Sequence, residues 1–269
     1  MEISVTLDSM YNMESQIKIF ETGISDGIMS QNKKFYQEEL SSEEISKIFY
    51  NTRQNVGKRY GFKGEKMFQA NQKNNNNDVN YTNGKYIVIN NDHLGKDDFW
   101  EENLPADILI LTNKYKNIVV GNQMADCPVV IIEDRKNGAT ALAHCGVTYI
   151  DRELPKQIVE ALEKEFQSES RDLYVYIGSC AKKESYIYDK YPSWATNKKL
   201  WKNYIIKKED KYHIDTVGAI IKQLREKGIK NIEESPYDTI KSDKYYSHSA
   251  SYKGNKDKFG QNFVGFFYK

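Results

Sequence analysis

The chain reads as an α/β (α+β) protein with mixed sheets, on three observations. Short apolar runs of strand length recur through its middle, three segments carry apolar residues at helical spacing, and the two kinds alternate. Ile17 to Phe20 predicts the first strand. Ser41-Ser42-Glu43-Glu44 has the form of a capping box, and Ile45, Ile48, Phe49 and Val56 follow on one helical face, so a helix is expected to about Gly57. From Asn74 to Asn103 polar residues predict a long loop holding one strand, Tyr86 to Ile89. Ile108 to Leu111, Ile118 to Val120, Val129 to Ile132 and Ala139 to Ala143 are apolar runs divided by Asn, Lys, Gly and Asp, as buried strands of one sheet would be. Leu154, Ile158, Leu162 and Phe166 mark a helix that accepts Pro155 in its first turn. Leu173 to Ile177 is another strand, leading into Gly178-Ser179-Cys180. A helix capped by Asp215 carries Val217, Ile220, Ile221 and Leu224 and stops at Gly228. Ile229 to Ile232 and Asn262 to Tyr268 read as closing strands.

No repeat or linker divides the 269 residues, so one domain over 1–269 is expected. The 39 basic and 38 acidic side chains leave no net field to draw in nucleic acid or an anionic membrane. No stretch approaches the roughly 18 apolar residues of a membrane span, and Met1-Glu2-Ile3-Ser4-Val5 does not resemble a signal peptide. A cytoplasmic protein, monomer or homodimer, is the expectation. Cys127, Cys145 and Cys180 are odd in number and lack the spacing of a structural zinc cluster or a disulfide framework, so they read as reduced thiols.

Chemistry concentrates at Ala125-Asp126-Cys127-Pro128 and Ala143-His144-Cys145-Gly146. A hairpin of the two strands between would place Cys127 and His144 at one sheet edge. Thiolate and imidazole are good zinc ligands, and a site with three protein ligands and one open position is catalytic. The same pair also suits a cysteine nucleophile with its base. Composition leaves both open.

The order Ala125 to Pro128, Ala141 to Gly146, Ile177 to Cys180 with Tyr186, Asp215, and Tyr246-Ser247 resembles the YfiH-like family, as does Ala106-Asp107 followed by Thr112. Its members are called laccase-domain or multicopper polyphenol oxidoreductase-like proteins and, in later assignments, purine nucleoside phosphorylases. The resemblance covers roughly residues 15 to 269. It implies a four-layer α/β/β/α fold with mixed sheets, shared with cytotoxic-necrotizing-factor-like cysteine hydrolases. It also implies a His-Cys-His set that binds zinc, or copper in some preparations, beside the nucleoside. Cys127 and His144 match the second and third ligands. The first falls at Asn74, in Gln72-Lys73-Asn74, where an amide carbonyl is a poor zinc ligand. His93 is a candidate substitute. Asp126, Ser247 and His248 fall at the substrate side, although Ser247 lacks a nucleophile elbow and also suits a structural hydroxyl. His213 reads as a surface residue.

The chain departs from the family where arginine is expected. Val147-Thr148 follows His-x-Gly, His248-Ser249-Ala250 follows the aromatic-Ser pair, and Gly260-Gln261 stands for Gly-Arg. Each loss removes a planar cationic fork suited to phosphate, whereas a water-using reaction needs none. Glu21 to Gly27 departs from the family's Thr-Arg-x-Gly-Gly-x-Ser segment, while Asn51 and Arg53 echo its Asn-Arg pair or lie on a solvated helix face. The resemblance therefore implies a divergent enzyme acting on a small-molecule nucleoside, by phosphorolysis or deamination, at a Cys/His zinc site. A metal-free Cys-His hydrolase or deamidase, or a non-catalytic binding relative, are the alternatives. Laccase chemistry is disfavoured, because four scattered histidines cannot supply a multicopper centre.

Overall fold

The computed structural model describes residues 14–36, 39–64, 66–72, 84–94 and 104–269. Among them the strands are β1 (Ile17–Glu21), β2 (Met67–Gln69), β3 (Tyr86–Val88), β4 (Ile108–Thr112), β5 (Val119–Met124), β6 (Val129–Asp134), β7 (Ala139–His144), β8 (Leu173–Ile177), β9 (Ile187–Tyr188), β10 (Ile205–Lys208), β11 (Lys211–Ile214), β12 (Asn231–Glu234) and β13 (Asn262–Tyr268). The helices are α1 (Ser42–Tyr60), α2 (Asn91–Leu94), α3 (Val147–Asp151), α4 (Leu154–Phe166), α5 (Thr216–Glu226) and α6 (His248–Tyr252).

Strand alternation builds the layers. Successive side chains of a strand point to opposite faces, and in the six-stranded sheet β12-β8-β6-β7-β4-β3 both faces are apolar. Ile108, Ile110, Val130, Ile132, Ala141, Val175 and Ile177 pack against Ile158, Leu162, Ile220 and Leu224 of α4 and α5. Leu109, Leu111, Val129, Ile131, Leu142 and Tyr176 face the other way, onto Ile19, Val120, Val264 and Phe266 of the second sheet, β1-β13-β5-β2. The outer face of that sheet offers Phe20, Val119, Phe263 and Phe267 to Phe49 and Val56 of α1. Helix, sheet, sheet, helix is the resulting order. It matches the α/β/β/α layering and the mixed sheets implied by the sequence, since β6-β7-β4 run antiparallel while β12-β8 and β3-β4 run parallel.

Some boundaries differ from the sequence reading. α1 runs through Gly57 to Tyr60 and is closed by Gly61 at φ 88°. Gly57 is an interior residue whose missing side chain makes room, because a Cβ there would meet the Phe62 carbonyl oxygen at 2.6 Å. Ile229 belongs to the end of α5 rather than to a strand. Gly228 (φ 80°) donates to the Arg225 carbonyl and Ile229 to that of Leu224, a Schellman ending that buries Ile229. Strand β12 begins two residues later. Half of the side chains in strands β10 and β11 are exposed, and their hairpin turns on Glu209 and Asp210, both at positive φ, so no apolar pattern announced it.

Candidate functional site

The site is built where β6 and β7 share an end. Val129 pairs with His144 in antiparallel register, so Cys127, two residues before β6, stands opposite Gly146, two residues after β7. A Cβ on Gly146 would lie 3.5 Å from Cys127 Sγ, so the two backbones approach closely here. The Cys145 amide donates to the Pro128 carbonyl at 2.8 Å and locks this end of the hairpin.

Asp126 aims the turn into Cys127. Its φ is 84°, a conformation that Asp tolerates better than most side chains. Three hydrogen bonds hold it. The carboxylate accepts from Thr239 Oγ1 and from the Ser249 amide, each at 2.7 Å, and the carbonyl accepts from the Ala181 amide at 2.9 Å. Asp126 thereby ties the Cys127 turn to the first turn of α6.

His144 is held by a residue to which the sequence reading gave no role. Gln72, just beyond β2, places Oε1 3.1 Å from His144 Nδ1 and donates through Nε2 to the His144 carbonyl at 2.9 Å. The Tyr149 hydroxyl donates to the Gln72 carbonyl at 3.2 Å. His144 Nε2 is buried and, among the described residues, has no hydrogen-bond partner. Burial lowers the imidazole pKa to about 4, so the ring is neutral near pH 7. Burial, and secondarily the Asp126 carboxylate, push the Cys127 thiol up to about 12. Burial likewise raises Cys145 and Cys180, which are fully enclosed, whereas Cys127 is partly accessible.

The other candidates take different places. Asn74 lies outside the described residues. His93 sits half-buried in α2 with Nδ1 2.7 Å from Asn90 Oδ1. His213, on β11, approaches the Lys183 carbonyl at 2.9 Å. His248 stacks on Phe35 and packs against Phe259, with its pKa lowered by burial and partly restored by Asp126. Ser247 is buried and caps α6, accepting from the Ala250 amide at 3.1 Å. Arg53 is buried and donates to the Gly64 carbonyl at 3.1 Å, so that face of α1 is packed rather than solvated.

This donor set fits part of a metal shell. A neutral imidazole and a thiol at the same sheet end suit zinc or copper, yet two donors make no complete site. Among the described residues no group of three or more His, Cys, Asp or Glu is placed to hold a metal ion.

The fold matches that of the Bacillus licheniformis hypothetical protein YfiH with a TM-score of 0.73 and 17% identity, covering 94% of this chain and 93% of that one. YlmD from Geobacillus stearothermophilus matches with a TM-score of 0.66 and 16% identity, over 82% of this chain and 80% of that one. The Neisseria meningitidis protein NMB0706, of family DUF152, matches with a TM-score of 0.64 and 15% identity, over 97% of each chain. No curated protein matches the sequence. Residues 26–264 match the family model described as multi-copper polyphenol oxidoreductase laccase, and the chain belongs to that family, the YfiH-like or laccase-domain proteins.

Proposed function

We propose that this chain is a hydrolytic enzyme acting on a purine nucleoside, with water as the nucleophile and adenosine deamination as the reaction. The observation that carries the reading is the buried Nε2 of a neutral His144, without a partner among the described residues, at the sheet end it shares with Cys127. A neutral imidazole with an open lone pair is equipped as a general base. His144 Nε2 takes a proton from water, and the hydroxide adds at purine C6. The proton passes to the departing amino group, so adenosine and water give inosine and ammonia.

Electrostatics favour water over phosphate. The charge that Cys127 feels is the Asp126 carboxylate, which would repel an incoming anion. The segments where arginine was expected read Val147-Thr148, His248-Ser249-Ala250 and Gly260-Gln261. No step is assigned to zinc or copper, because the described donors stop at two. Chromatographic analysis with adenosine, with and without phosphate, tests the reading. Inosine formed without phosphate and lost in His144→Asn supports it. Turnover by His144→Asn equal to that of the wild type overturns it.

A second reading rests on accessibility, since Cys127 alone among the three cysteines is not buried. As a cysteine hydrolase, Cys127 would pass its proton to His144 Nε2 and attack an amide carbon, expelling ammonia. Covalent trapping of substrate on Cys127 distinguishes it from the water mechanism.

A further inference from the structure

We infer that Gln72 is a positioning residue that fixes His144 as the Nδ1–H tautomer, leaving the Nε2 lone pair as the basic position of the ring. The assignment follows from which atoms can donate. The His144 carbonyl oxygen only accepts, so the Gln72 group 2.9 Å from it must be the amide nitrogen. A flipped amide would set two acceptors against each other. With the nitrogen fixed on that side, Oε1 faces Nδ1 at 3.1 Å. An amide oxygen also only accepts, so Nδ1 must carry the proton. The neutral imidazole then has its lone pair on Nε2, the buried atom that has no partner among the described residues.

Gln72 is itself held against rotation. Its carbonyl receives the Tyr149 hydroxyl, and the preceding Ala70 amide donates to Asn122 Oδ1 at 2.9 Å, anchoring this segment to β5. Asn71 donates to the Leu104 carbonyl at 2.8 Å. One side chain therefore grips both the ring and the backbone of His144. It fixes where the ring lies as well as which nitrogen is basic.

The catalytic consequence rests on the hydrolytic reading above, but the tautomer does not. Two-bond proton–nitrogen correlation spectra of the ¹⁵N-histidine-labelled full chain near pH 7 read the tautomer directly, with His144 assigned by its disappearance in His144→Asn. The expected wild-type signal is Nδ1–H. Gln72→Met, which keeps length but cannot accept from nitrogen, moves His144 toward the Nε2–H form. Gln72→Glu keeps an acceptor for Nδ1–H but loses the donor to the His144 carbonyl, so it is expected to keep Nδ1 protonated while loosening the grip on the backbone. A wild-type Nε2–H signal overturns the inference, and this outcome requires no variant to fold. An unchanged Nδ1–H signal in Gln72→Met also overturns it. Adenosine turnover is measured on the same samples, and Gln72→Met is expected to lower kcat about 10- to 100-fold with little change in KM. A switched tautomer with unchanged turnover leaves the positioning role standing and overturns the base role of His144.

Discussion

Asp126 Oδ2 accepts the Ser249 amide at 2.7 Å, so the residue before Cys127 also caps the helix that follows Ser247. The turn that presents the thiol and the segment carrying His248 are therefore one mechanical unit. Asp126 and Ser247 are engaged inside the protein, at the base of the site. Removing either should register first in stability.

Asp126→Ala is expected to lose about 3 kcal/mol of unfolding free energy, from the lost helix cap, the unpaired Thr239 hydroxyl and an alanine held at positive φ. Asp126→Asn keeps an acceptor and tolerates the backbone angle, so it should lose about half as much. Urea unfolding of the two variants checks the order.

His144 gives the fold a signed pH dependence. Its folded pKa of about 4 lies below the ordinary 6.5, so on acidification the unfolded chain takes up a proton that the folded chain refuses. The contribution is complete above about pH 6.5 and is lost as the pH falls through about 4. Between about pH 7 and about pH 4.5, the wild type should lose about 2–3 kcal/mol more than His144→Asn. Equal losses would show that the buried ring is not held neutral.

Cys127 should react with iodoacetamide before Cys145 and Cys180, because only Cys127 is accessible. Its thiol pKa of about 12 makes the reaction slow at neutral pH, with a rate that rises about tenfold per pH unit until the thiol ionises. Rapid, pH-independent labelling near neutrality would show that a cation, absent from the described surroundings of Cys127, stabilises the thiolate.

Gly121 tests the second sheet. It pairs with Gly265 across β5 and β13, and the Phe263 ring fills the space a side chain would need, with Cε1 2.3 Å from an ideal Cβ on Gly121. Gly121→Ala should cost about 3 kcal/mol, whereas Gly61→Ala, which meets no atom within 4 Å, should cost about 1 kcal/mol from its φ of 88° alone. Thermal unfolding of the pair separates close approach from backbone strain.

Much of this was legible in the sequence because the signal was local. The apolar runs of β4, β6, β7 and β8 are buried on both faces, so they stand out as continuous hydrophobic stretches. The Ser41–Glu44 capping box appears in the structure as written, with Glu44 reaching back to the Ser41 amide at 2.8 Å. Cys127 and His144 could be placed at one sheet end from the hairpin between them. Gln72 could not be given its role, because its partner lies 72 residues away and a lone glutamine carries no periodic signal. Arg53 was open to misreading for a related reason. A helical arginine normally marks solvent, and only the close approach of Gly64 shows that its charge is buried against a carbonyl.

The most direct test of the central claim is adenosine turnover in ¹⁸O-labelled water without phosphate, followed by mass spectrometry of the nucleoside product. The account predicts inosine carrying one labelled oxygen on the purine ring, formed by the wild type and absent with His144→Asn. Free adenine formed only when phosphate is added, or labelled inosine formed equally by the variant, would contradict it.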